Sequence, residues 1–129
     1  MRLLLDTHIW IWYVTGSADL PVAVRDEIES DGNEVFLSPI SVWETLLLAE
    51  KGRFGTVTDP VDWVRYALRE FQTIEAPLNT EIAILSRSID LPHPDPADRF
   101  LAATARVYGA RLVTRDGRLL DSEAVPTYP

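Results

Sequence analysis

Cysteine is absent from this 129-residue chain. That excludes disulfides, thiolate metal sites and a cysteine nucleophile, and it is consistent with a reducing cytoplasm. Long apolar runs are missing as well, and nothing in the sequence approaches the ~20 residues of a membrane helix. The opening MRLLLDTH carries a single basic residue and an acid directly after its leucines, so it does not read as a secretory leader. Positive charge is scarce: 12 Lys and Arg stand against 20 Asp and Glu, a net of −8. This balance argues against a nucleic-acid module working through a basic face. It leaves open an enzyme that meets phosphates through bound cations, because a metal ion inverts the local field. Repeats, low-complexity stretches and linker-like compositions are also lacking. We therefore expect residues 1–129 to form a single domain, soluble and cytoplasmic, with no membrane association. At 47% apolar residues it has material for one core without staples.

Residues 2–5 are long enough for a buried strand, and 34–37 (EVFL) and 111–114 (RLVT) are two more. Residues 7–14 (THIWIWYV) fit either a continued strand or a short helix, since periodicity does not separate the two. PVAVRDEIESDG reads as a helix with Asp31-Gly32 as its stop. Ser38-Pro39 and Asp59-Pro60 each pair a capping residue with proline at the first helical position. The first opens a helix to Gly52 and the second a helix to about Phe71. TIEAPL is a short extended segment, 80–89 a further helix, and ADRFLAATARVYG a helix stopped by Gly109. RDGRL reads as a turn, and the tail offers a last short strand. Strands alternating with helices predict an α/β domain whose mostly parallel sheet is covered on both faces.

The acids fall in recurring places. Asp6 ends the strand LLL, and Asp116 lies two residues past RLVT. In open parallel sheets ligands bind beyond the carboxyl ends of strands, so the two share a crevice if their strands are neighbours. Glu44 sits inside a helix among Ile40, Leu47 and Leu48, and Asp95 and Asp98 open the helix before RLVT. A carboxylate in apolar surroundings titrates upward, pairs or coordinates a metal. Carboxylates converging on one crevice would be reconciled by a hard cation such as Mg²⁺ or Mn²⁺, which prefers oxygen ligands and suits phosphoryl chemistry. Each acid also has an ordinary reading. Asp95 is placed to cap a helix, and Asp98 to complement its dipole. Asp116 is placed for an Asp-Gly turn, and Glu44 to pair with an arginine.

LLLDTH, SVWE after a short strand, DPADRFLAATA and LVTRD occur in this order. The set resembles the PIN-domain ribonucleases and, more narrowly, the VapC toxins of bacterial and archaeal toxin–antitoxin pairs. The resemblance runs from Asp6 to Asp116, with PHPDPADRFLAATA and LVTRD its most distinctive part. It implies a three-layer α/β/α fold and a Mg²⁺ or Mn²⁺ site of Asp6, Glu44, Asp98 and Asp116, with Asp95, Thr7 and Thr114 in support. It further implies hydrolysis of RNA phosphodiester bonds by metal-activated water, leaving a 5′-phosphate and a 3′-hydroxyl. The partners it implies are an RNA substrate, a VapB-type antitoxin and a second copy of the chain.

His8 and His93 flank motif acids, but neither has a companion at metal-ligand spacing, so packing or hydrogen bonding is the expected role. The four tryptophans are expected in the core or an interface rather than under a base. Arg99 and Arg115 are expected to pair with the adjoining Asp98 and Asp116. A basic rim for substrate is expected from Lys51 and Arg53. Two other readings compete: a phosphatase with Asp6 as nucleophile, and an inactive or receiver-like metal-binding domain. The first usually wants an acid where His8 stands, and the second a lysine after a late strand, where only Arg115 and Arg118 occur.

Overall fold

The computed structural model describes residues 1–52, 59–92 and 94–129. Five strands, β1 (Arg2–Leu5), β2 (Glu34–Leu37), β3 (Ile74–Glu75), β4 (Arg111–Val113) and β5 (Thr127–Tyr128), form one sheet. Their spatial order is β3-β2-β1-β4-β5, with every neighbouring pair parallel. Seven helices are described: α1 (Thr7–Thr15), α2 (Val22–Glu29), α3 (Pro39–Glu50), α4 (Pro60–Glu70), α5 (Thr80–Ser88), α6 (Pro96–Val107) and α7 (Gly117–Leu120).

Because successive strand residues face opposite sides, the leucines of β1 divide between two cores. Leu3 and Leu5, with Leu37 and Val113, pack beneath α1, α2 and α4 through Ile9, Trp10, Val24 and Val64. Leu4, with Phe36 and Leu112, packs on the other face against Leu101, Ala102 and Ala105 of α6 and Leu119 of α7. The result is the three-layer α/β/α arrangement expected from the alternation of elements. Both faces of the central strand are water-excluded, which is why β1 reads as a continuous apolar run.

The undecided stretch at 7–14 is helical. The Asp6 side chain accepts from the Thr7 N–H and starts the helix, and Gly16 ends it with the left-handed φ of 66°. Three expectations are corrected in detail. RDGRL is not a plain turn: its Gly117, Arg118 and Leu119 belong to one helical turn, α7, because Asp116 accepts from the Arg118 N–H and supplies a cap. The helix begun at Pro21 ends at Glu29, capped at Ser30, before Asp31-Gly32 is reached. RLVT contributes only Arg111–Val113 to the sheet, leaving Thr114 just past its end. Among the described residues, no helix is long and apolar enough to cross a membrane.

Candidate metal centre

The chain winds from β1 outward to β2 and β3, then returns to place β4 on the opposite side of β1. Connections therefore diverge at the β1/β4 boundary, where the carboxyl ends of the two strands leave a crevice. Asp6 and Thr114 are the residues that immediately follow those strands. The Asp6 N–H donates to the Val113 carbonyl at 3.0 Å, so the sheet ladder itself carries Asp6 into the crevice.

Both oxygens of Asp6 are held. Oδ1 accepts from the Thr7 N–H at 2.7 Å, and Oδ2 accepts from the Thr114 hydroxyl at 2.7 Å. Thr114 in turn accepts from the Asp116 N–H at 3.0 Å, which ties the loop after β4 to the acid after β1. Across the crevice, the Thr7 hydroxyl donates to Glu44 Oε1 at 2.6 Å and lies 3.0 Å from the Ser41 hydroxyl. Ser41 stands one helical turn before Glu44 on α3, so the pair shares a face. Ser41 was missed in the sequence, although its i−3 spacing from the acid was the available signal. The two threonines thus orient the two acids they adjoin.

A cavity of about 360 Å³ collects these groups. Asp6, Glu44, Asp95, Asp98 and Asp116 line it together with His8, Trp12, Arg115 and Arg118. Every predicted acid is therefore in one place. Asp95 also caps α6, accepting from the Ala97 N–H at 2.9 Å, and Asp98 is buried at the third position of that helix. Asp116 combines the cap of α7 with a place in the cavity wall.

Burial and mutual repulsion show in the titration of the acids. The Asp98 carboxyl is pushed up to about 7, first by burial and then by the charges of Asp6, Asp95, Glu44 and Asp116. Burial raises Asp6, offset in part by its bonds from Thr114 and Thr7, while His8 lowers it and Asp116 raises it. Glu44 is raised by burial, with the Thr7 bond acting against it and Asp6 and Asp95 adding repulsion. Such a site is short of positive charge. Among the described residues, no three acid or histidine side chains stand together as a ready-made cage for one ion. Mg²⁺ keeps several waters and takes one or two direct carboxylates, so acids spread around a cavity fit its chemistry.

The arginines depart from expectation. Asp116 draws its ion pair from Arg118, at 3.3 Å, while Arg115 is exposed and faces the cavity. Arg99 directs its guanidinium to the carbonyls of Ser86, Arg87, Ile89 and Leu91, and so anchors the end of α5. His8 is exposed on the cavity wall, its ring edge-on to Trp12, in keeping with a contact role. His93 and Arg53 lie outside the described residues. Trp10 is in the core, whereas Trp43 is an exception, being 54% exposed.

Residues 3–123 match the PIN domain family model. The chain belongs to the PIN-domain family. It is 31% identical over 118 residues to Ribonuclease VapC22 of Mycobacterium tuberculosis, covering 91% of this PIN chain and 88% of that protein. Solved structures share the PIN fold at lower identity. VapBC2 from Rickettsia felis, bound to a DNA fragment from its promoter, superposes with a TM-score of 0.72 at 14% identity, over 99% of this chain and 98% of that one. A toxin–antitoxin complex from Klebsiella pneumoniae gives 0.68 at 23% identity, over 97% and 96%. FitAcB from Neisseria gonorrhoeae gives 0.67 at 23% identity, over 98% and 96%.

Proposed function

We propose that this PIN domain is a metal-dependent endoribonuclease, the toxin of a toxin–antitoxin pair, acting in the cytoplasm with Mg²⁺, or Mn²⁺ in its place. The observation that carries the reading is the convergence of Asp6, Glu44, Asp98 and Asp116 on one cavity at the β1/β4 switch point. The relatedness to a ribonuclease across 91% of the chain supports RNA as the substrate. In this reading the four acids would form the ion's site, directly or through its waters, Thr114 and Thr7 fix the carboxylates of Asp6 and Glu44, and Asp95 sets the start of the helix bearing Asp98. When bound, the ion supplies a water of lowered pKa and neutralises charge developing on the phosphoryl oxygens. The chain's own part is to hold the acids together despite their mutual repulsion, which leaves the site short of positive charge, and to present them on rigid strand and helix ends. Arg115 and Arg118 stand on the cavity wall where phosphate would approach.

The solved neighbours are toxin–antitoxin complexes, which supports a VapB-type antitoxin as the protein partner, and we propose a homodimer as the free form. The phosphatase reading loses ground because the position two residues past Asp6, where that class usually wants a second acid, holds His8.

The test is cleavage of structured RNA by the purified chain. Cleavage should require Mg²⁺ or Mn²⁺ and stop with EDTA, and Asp6→Asn should lower the rate by about a hundredfold or more while the fold is retained. Cleavage in EDTA, or an Asp6→Asn variant as active as the parent, would overturn the assignment.

A further inference from the structure

A second cavity, of about 260 Å³, opens beside the acidic one, and Glu44 and Asp95 stand in the wall of both. One wall comes from α3 and its end: Trp43 and Leu47 on the helix, then Lys51 as its C-cap residue, at four-residue intervals. Pro96 at the start of α6 lies opposite. A single exposed aromatic is ordinary on a protein surface. Trp43 differs in its setting: it adjoins Glu44 in sequence and lines an opening continuous with the acidic cavity. Lys51 is the only lysine in the chain.

Building on the ribonuclease reading, we infer that this cavity seats one unpaired nucleotide of the RNA, its base stacked on the Trp43 indole and its phosphate beside Lys51. A strand whose phosphodiester lies among the acids must leave through a neighbouring opening, and the walls shared at Glu44 and Asp95 make this cavity such an opening. The cavity is smaller than the roughly 300–1,000 Å³ of sites for drug-sized ligands, which suits one base better than a run of peptide side chains. The carboxylates of Glu44 and Asp95 in the shared wall repel a phosphate, which directs the phosphate away from them and toward the lysine. Stacking on an aromatic face needs an unpaired base, so the seat selects loops or single strands over duplex.

The test separates binding from hydrolysis. Anisotropy of a labelled single-stranded oligoribonucleotide is measured on the full chain carrying Asp6→Asn, with and without changes at Trp43. Trp43→Ala should weaken binding roughly tenfold or more, while Trp43→Phe, which keeps a ring, should stay within about threefold. Lys51→Ala should flatten the dependence of binding on salt. In the cleaving parent background, Trp43→Ala should raise KM and leave kcat unchanged. Trp43-dependent binding without cleavage by any form would keep the seat and remove the hydrolytic reading. Cleavage and binding unchanged in Trp43→Ala would remove the seat and keep that reading. The same unchanged values, with loss of a co-expressed partner protein, would reassign the face to protein docking. An oligonucleotide that does not bind the parent would remove both.

Discussion

The Thr114 hydroxyl reaches Asp6 across 108 residues of sequence, and with the Thr7 N–H it fixes the carboxylate from both sides. Asp6 is nearly buried, so neither bond is readily replaced by water. Thr114→Val keeps the shape and removes the donor. It should destabilise the chain by about 1–3 kcal/mol in urea titration, because a buried acceptor is left unsatisfied. It should also weaken Mg²⁺ binding by roughly tenfold or more in calorimetry, the usual consequence of losing a group that orients a ligand. Stability and metal affinity both unchanged would show that Thr114 does not hold Asp6. The acids at these positions were legible in the sequence because a charge at the end of an apolar strand needs an explanation. Their hydroxyl partners were legible only through resemblance, since a threonine beside an acid has many ordinary uses.

At the level of elements, α3, α4 and α6 were readable from one signal, a capping side chain followed by proline. Ser38, Asp59 and Asp95 each accept from the backbone at the start of their helix. α1 was not readable, because its residues are apolar almost all round: Ile9, Trp10 and Ile11 are buried, and Trp12, Tyr13 and Val14 pack beside the same core. Such a helix has no polar face to set a period. α7 is a single turn, too short for any period to register. Arg99 was misjudged for a related reason: its neighbour Asp98 suggested an ion pair, but the carbonyls at the end of α5 come close only in three dimensions. Arg99→Lys retains the charge and loses the planar fork. We expect a loss of about 1.5–3 kcal/mol by urea unfolding, with the end of α5 exchanging its amides faster. A variant as stable as the parent would show that the fork is not what ties α5 to α6.

Across the whole molecule, the crowding of carboxyls makes stability depend on pH in an unusual direction. Asp98 is raised from the ordinary 3.8 to about 7, and burial raises Asp6 and Glu44 in the same sense. Between the unfolded and folded values the folded, metal-free chain binds more protons than the unfolded chain, so stability falls as pH rises through that window. In EDTA the melting temperature should be lower at about pH 8 than at about pH 5, and Mg²⁺ should raise it more at the higher pH, where the acids are ionised. Equal melting temperatures in EDTA, with no response to Mg²⁺, would contradict the idea of a strained acidic site awaiting a cation.

The sequence by itself determined the α/β class, the strands at 2–5, 34–37 and 111–114 (the last of them one residue too long), the capped helix starts and the candidate acids. These follow from burial periodicity and from local hydrogen bonding, which act over a few residues. The tertiary structure alone decided that β1 lies between β2 and β4, because parallel pairing is chosen by packing between segments far apart in sequence, as Arg2 with Glu34 and Leu3 with Arg111. That order brings Asp6 beside Thr114 and puts five carboxylates around one cavity. It also decided which tryptophan faces solvent. All four are alike in a one-dimensional reading, and only the packing places Trp10 in the core and Trp43 exposed on the wall next to Glu44.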